Sequence, residues 1–477
     1  SLTYLSFSES NGLDPVLLRG GARAGDTDQA AAIFDALVYL DPKTQEVVPK
    51  IAESFTSEDD VTWDLKIRDG VTFTDGTPYD AEAVKVNWER IGDPKSGSPS
   101  ASGMEPVASL EVVDPLTLRI TLKSAYPLFP QLVARYLSYI GSPTAMKKLG
   151  DGFAQTPVGA GPFMVKSWVR DSELRLVKNP DYWQKGLPYL DELVIQQVPD
   201  DEQRFNTFAT GAAQAAIGGP NTIYADRAEQ QGFKVDRYVL GGGINLIFNT
   251  KKEPFNDVEL RRAVAQALDL PRLNEIVSQG TNSAPTTFFT DASPFHEPDI
   301  TFPAQDKQAA QRVFDAYAAR TGGPLNINLT ATTATGTTFE MVQAQLSEYN
   351  NVEVDLKMVQ NSALTPLLIA GNYQVANYAN YADDFEPTMF AYFHSKGARN
   401  FTGISDPELD AALEEGRASS DPKVRKEAYR RAQERIVELV PDVYIQQYRF
   451  NYLLADNVND FTVPAGGPQW EKVWLGS

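Results

Sequence analysis

The 477 residues, 42% hydrophobic and 22% charged, suffice for about three domains and a large core. A formal net charge of -20 argues against a nucleic-acid partner, whose phosphates need clustered Lys and Arg, and favours the attraction of cationic solutes. With no cysteine and only His296 and His394, the chain excludes a disulfide scaffold, a thiol nucleophile and a thiolate metal site, and offers little for transition-metal catalysis.

No apolar run approaches the ~20 residues of a membrane span. The chain opens at Ser1-Leu2 without a charged and apolar leader, which fits either a cytoplasmic protein or one whose targeting segment has been removed. Leu2 to Phe7 alternates as a strand, and a loop carrying Arg19 to Gly25 leads to a helical run from Ala30 to Leu37. Val61, Trp63, Leu65 and Ile67 alternate, turn at Asp69-Gly70, and resume at Val71 and Phe73 before Asp75-Gly76, which predicts hairpins. Asp80 is placed to cap a helix presenting Val84, Trp88 and Ile91, and Leu116 to Leu122 alternates as another strand.

In the second half, Asn256 with Glu259 has capping-box spacing before an apolar stripe of Leu260, Ala263, Val264, Ala267 and Leu268. Strands at Leu325 to Leu329 and Val352 to Met358 flank a helix from Phe339 to Leu346, a parallel βαβ unit of an α/β fold. The Thr-rich turn Ala331 to Thr338 between them is read as a hydroxyl-capped turn or an anion site. Asp406-Pro407 and Asp421-Pro422 each start a helix, and the second carries Val424, Ala428, Ala432, Ile436 and Val440 on one side. Thr281 to Gln305 reads as a long loop.

Ala376 to Gly403 packs Asp383, Asp384 and Glu386 among six aromatic side chains from Tyr378 to Phe393 and shows neither helical nor strand period, so it is read as a loop. Such a loop either brings charge to an apolar wall, as recognition of a small cationic or amphiphilic molecule requires, or plugs the core with its rings.

Several stretches carry a family resemblance. Pro49 to Ser54 precedes a hairpin-like Ile67 to Pro78 and the helix start at Asp80 to Val84. Downstream come TPVGAGPFMVKSW (Thr156 to Trp168), NPDYW (Asn179 to Trp183), Leu190 to Gly211, and Ile244 to Asp269. Together they resemble the family 5 solute-binding proteins, the peptide, nickel and oligosaccharide receptors of ABC transporters. Ala83 and Ala160 depart from the usual Asp and Thr of those motifs.

The resemblance implies an α/β class II periplasmic-binding-protein fold, two lobes with a hinged cleft plus an extra α+β domain. The expected pieces are residues 1–38, 166–246 and 450–477 for the first lobe, 39–165 for the extra domain and 247–449 for the second lobe. It implies an extracytoplasmic receptor, periplasmic or lipid-anchored, that binds a ligand between the lobes and hands it to ABC permease subunits. A monomer with no cofactor, no resident metal and no enzymatic activity is expected.

Asp383, in YADDFEPT, stands where oligopeptide-binding relatives have an aspartate that pairs with the ligand's terminal ammonium. Asn380 replaces the tryptophan usual three positions before, and Asp384 replaces a common aromatic, which suits a reshaped pocket for a ligand with more than one positive group or with hydroxyls. Arg399 and Arg23 are candidates for a ligand carboxylate, or plain surface arginines. Gly242 and Gly243 permit close approach of a ligand, or form a flexible turn. Tyr378 and Phe385 are candidates for stacking on a ligand, or core. The leading ligand is an oligopeptide or other amine-bearing solute. The alternatives are an oligosaccharide, and a hydrolase using Asp383 and Glu386 as its carboxylate pair.

Overall fold

A computed structural model describes residues 1–19, 25–41, 46–218, 222–382, 386–464 and 467–476. The chain divides into two compact units, one of Ser1–Gly219, Tyr224–Asp236 and Asn451–Ser477, the other of Pro220–Ile223 and Arg237–Phe450. Two long strands, Lys234–Phe248 and Asp442–Leu454, carry the chain from one unit to the other.

In the first unit, Leu2–Ser6 pairs in parallel with Glu192–Gln197 on one side and Ala215–Ile217 on the other. The sheet continues antiparallel through Glu173–Lys178 to Phe163–Val169. A second, antiparallel sheet runs in the order Ala52–Ser57, Thr62–Ile67, Thr117–Leu122, Val107–Asp114. Helix Ala81–Gly92 packs on it, capped by Asp80, which accepts from Ala83 N at 2.9 Å. Val84, Trp88 and Ile91 are buried with Trp63 and Phe129 in one core, as their spacing predicts.

The first Asp-Gly turn differs from its sequence reading. Thr62–Ile67 pairs with Ala52–Ser57 and Thr117–Leu122, not with the residues after Gly70. Val71 and Phe73 instead bury their side chains while Val71 to Tyr79 folds back on itself around Asp75-Gly76. Two neighbours already fill both edges of the strand, so local turn chemistry yields to longer-range pairing. The first helix also lies earlier than its apolar run suggests, at Asp26–Ile33.

On that helix, the buried Asp28 carboxylate accepts from the Tyr4 hydroxyl at 3.0 Å and from Gly25 N at 3.1 Å. Burial pushes its pKa up to about 7, the Tyr4 and Gly25 donors pull it down, and Asp26 adds a small upward push. An acid raised from an unfolded value of ~3.9 holds a proton in the folded state that the unfolded chain has released. Stability therefore falls as pH rises between about 4 and 7, by up to ~1.4 kcal/mol per pH unit. Urea unfolding of Asp28→Asn across that window should show a flatter pH dependence than the parent. Identical slopes would mean that Asp28 is ionised throughout.

The second unit centres on a sheet in the order Val352–Val359, Leu325–Thr332, Val375–Ala382, Lys234–Phe248, Asp442–Leu454. The first two strands are parallel and flank helix Gly336–Leu346, the predicted βαβ unit. Leu260, Ala263, Val264, Ala267 and Leu268 are buried, but the cap of helix Val258–Ala267 is Asp257, not Asn256. In the Thr-rich turn a short 3-10 segment precedes the helix, and neither start has a side-chain cap, so the predicted hydroxyl cap is not formed. Helices Pro407–Ala418 and Pro422–Leu439 begin at Asp406 and Asp421 as predicted, although Val424 is left exposed.

Ala376 to Gly403 is not a loop. Val375–Ala382 is a strand and Thr388–Phe393 a short helix. The strand lies between two others and is largely buried on both faces, so it shows no alternation for a sequence reading to find.

Candidate ligand-recognition site

All of the geometry that follows lies within the second unit. Val375–Ala382 runs antiparallel to Lys234–Phe248, with Tyr381 opposite Gly242, Asn380 opposite Gly243 and Tyr378 opposite Asn245. Both glycines answer to neighbouring backbone. A Cβ on Gly243 would lie 2.0 Å from Gln446 O of the next strand. Gly242 has φ +73°, a Cβ there would meet Asn380 O at 2.5 Å, and its N–H donates to Phe288 O at 2.8 Å.

Asn380 is buried, and its Nδ2 donates to Asp442 Oδ2 at 3.2 Å; Asn245 Nδ2 donates to the same oxygen at 2.7 Å. Burial pushes the Asp442 pKa up to about 6, against the pull of the Asn245, Asn380 and Tyr444 donors. Asp442 escaped the sequence reading. Its only signal was a lone acid opening the buried apolar run Val443 to Ile445.

Tyr378 packs edge-on against Tyr392 and Phe401, with ring centroids 5.8 and 5.2 Å away. Arg399 reaches the same cluster, donating from Nη1 to the Tyr392 hydroxyl at 3.4 Å. Burial first, then Tyr392, raises the Tyr378 pKa, and Arg399 opposes them. The structure thus brings Tyr378 and Arg399 together. Tyr381 stacks on Tyr448 at 4.1 Å and 15°, with Phe450 edge-on to both. Tyr381 and Tyr448 are half-buried aromatic surface that sequence reading did not select.

Asp383 and Phe385, like Arg23 of the first unit, lie outside the described residues. The chain resumes at Glu386, whose buried carboxylate takes Arg417 Nε at 3.0 Å. Arg417 lies 3.4 Å from the centroid of Phe390, which stacks on His394 at 4.0 Å, and His394 Nε2 meets Glu414 at 3.1 Å. Glu386 is therefore committed to an arginine, a poor starting point for the acid or base of a hydrolase. Among the described residues no group of three or more His, Asp and Glu is arranged to hold a metal, and no helix is long and apolar enough to cross a membrane.

A mixed α/β molecule with these motifs belongs to a known class: the chain is a member of the bacterial extracellular solute-binding proteins, family 5, whose sequence profile matches residues 46–402. It is 31% identical over 254 residues to the glutathione-binding protein GsiB of Shigella flexneri, an alignment covering 53% of this chain and 49% of that protein. The alignment thus spans about half the length of the curated relatives. Over whole chains, the fold matches AgaA of A. tumefaciens R10, solved with agropinic acid, at a TM-score of 0.86 and 24% identity, covering 100% of this chain and 99% of that one. It matches DppA of Helicobacter pylori, solved with the peptide STSA, at 0.86 and 23%, covering 100% and 98%. These structural likenesses show the periplasmic-binding-protein fold.

Proposed function

We propose that the protein is an extracytoplasmic receptor that binds an amine-bearing solute, foremost an oligopeptide, and delivers it to an ABC permease without transforming it. The observation that carries this reading is the acidic pair Asp383-Asp384, which follows the strand Val375–Ala382 in the sequence of a family 5 member. A carboxylate in a cleft that excludes water gains strongly from a charge-assisted bond to a ligand ammonium, and rejects ligands that leave it unpaired. The peptide and glutathione named for two of the relatives support this class. Arg399 and Arg23 are proposed for the ligand carboxylate and Asn380, Tyr378, Phe385, Gly242 and Gly243 for the surrounding wall. In this reading residues 39–165 form the extra domain, and the lobes, split as 1–38, 166–246 and 450–477 against 247–449, close on the ligand as a monomer.

The reading is tested by thermal shift of the purified chain against short peptides, oligosaccharides, amines and nickel chelates. A ligand at 100 times its Kd adds about 2.7 kcal/mol to the folded state, which moves the transition visibly. A peptide or amine should shift the parent and not Asp383→Ala. A sugar response indifferent to that substitution would replace the amine reading with an oligosaccharide receptor, and turnover of a panel member would replace the receptor with an enzyme.

A further inference from the structure

In the first unit, Leu2–Ser6 and Glu192–Gln197 end side by side, with Ser6 opposite Gln197. There helix Asp26–Ile33, Trp168 and the turn before Glu173 join them around a pocket with room for about one water molecule. The described residues of its wall include Ser8, Glu9, Gln29, Glu173 and Gln197, and no Lys, Arg or His. Ser8 Oγ, Gln29 Oε1 and Gln197 Oε1 are buried without a hydrogen-bond partner, and Gln29 as a whole is 2% exposed. Ser8 stands against the start of the helix, where a Cβ on Gly25 would come within 2.7 Å of its Oγ. Buried polar atoms are almost always bonded, so three open oxygens around one small pocket mark a place for a guest.

We propose that the pocket binds a monovalent cation of about the size of water, potassium or ammonium, which ties the end of the first strand to helix Asp26–Ile33. Carbonyl-type oxygens replace the hydration shell of potassium, and an ammonium donates to them directly. The charge at the wall favours a cation over water. Glu9 and Glu173 both line the pocket, and each is matched from outside the wall, Glu9 by Arg170 Nε at 2.9 Å and Glu173 by Arg175 Nη2 at 3.1 Å. Trp168 Nε1 also donates to Glu9, at 3.3 Å. The two arginine side chains are 43% and 33% exposed, their acids 10% and 26%. Solvent therefore screens the arginines more than the carboxylates, which leaves the pocket negative. Calcium asks for roughly six to eight oxygens and magnesium keeps several waters, so a pocket of this size with two matched acids suits neither. Ser172, exposed and part of the wall, gives the ion a route to solvent. The site is independent of the amine reading above.

The full chain, freed of alkali ions in a Tris buffer, is melted in potassium, ammonium, sodium, lithium or choline chloride at one ionic strength. Potassium and ammonium should raise the thermal midpoint saturably, by about 2–4 °C at ten times the Kd, with sodium weaker and lithium and choline without effect. Gln29→Leu and Gln197→Leu should each abolish that difference. Crystals grown in rubidium chloride should show one anomalous peak between Ser8, Gln29 and Gln197, a measurement that stands even if a variant fails to fold. Equal midpoints in all the salts, a potassium response that survives both substitutions, or density at the site without a rubidium signal would assign the pocket to water and overturn the proposal.

Discussion

Lys50→Met is expected to lower the free energy of unfolding by about 3–5 kcal/mol, the cost of breaking a buried ion pair from one side. Lys50 Nζ lies 2.6 Å from Asp35 and 2.8 Å from Glu471, and all three side chains are at most 10% exposed. Asp35 also accepts from the Tyr182 hydroxyl at 2.6 Å and Trp183 Nε1 at 2.9 Å, so its carboxylate is fixed from several directions. Burial alone would depress the ammonium's pKa, but Asp35 and Glu471 outweigh it and hold it above its ordinary value. A cation raised in this way contributes its stability at every pH below the unfolded value of about 10.4, and loses it only above that. Without the ammonium, two buried carboxylates face each other. Urea unfolding at neutral pH measures the loss, and adding Asp35→Asn and Glu471→Gln should restore a good part of it. A loss under 1 kcal/mol in the single variant would mean that water reaches the carboxylates.

Gly243→Ala is the second large effect, expected to cost several kcal/mol or to prevent folding of the second unit. The new Cβ would stand 2.0 Å from Gln446 O and 2.9 Å from Gln446 C, both backbone atoms of a paired strand that has no side-chain rotation with which to yield. Gly336→Ala is the control. Its Cβ meets only Met358 Cε at 3.6 Å, and in the first turn of a helix alanine should be neutral or add up to about 1 kcal/mol. Equal thermal midpoints for the two variants would show that the strands separate easily at Gly243.

These cases mark how far the sequence could be read. The Asp80 cap, the Val84, Trp88 and Ile91 stripe and the parallel pairing of Leu325 with Val352 rest on local pattern, and local pattern sufficed. Motifs along the chain carried the family resemblance, and the match over residues 46–402 upholds it. Pairing partners were not legible where distance along the chain decides them, as for Val71 and Phe73. Period was not legible where both faces of a strand are covered, as in Val375–Ala382. Of the candidate site, Tyr378 and Arg399 do meet, but Asp442 and Tyr448 come from a strand some sixty residues downstream in the sequence, and nothing local announces that they belong there.

The connectivity of the first unit sets an order of assembly. Trp470 is fully buried there, donates from Nε1 to Asp28 O at 2.8 Å and packs edge-on against Tyr4 at 5.3 Å, while Glu471 completes the Lys50 pair. The hydrogen bond to Asp28 spans 442 residues of chain. During vectorial synthesis the second unit is therefore fully made while the first still lacks the residues that close its core. A nascent chain stalled before Trp470 exposes Tyr4 and leaves Lys50 with one carboxylate, an open apolar seam for a chaperone to hold. The half of the molecule that begins first is the half that finishes last.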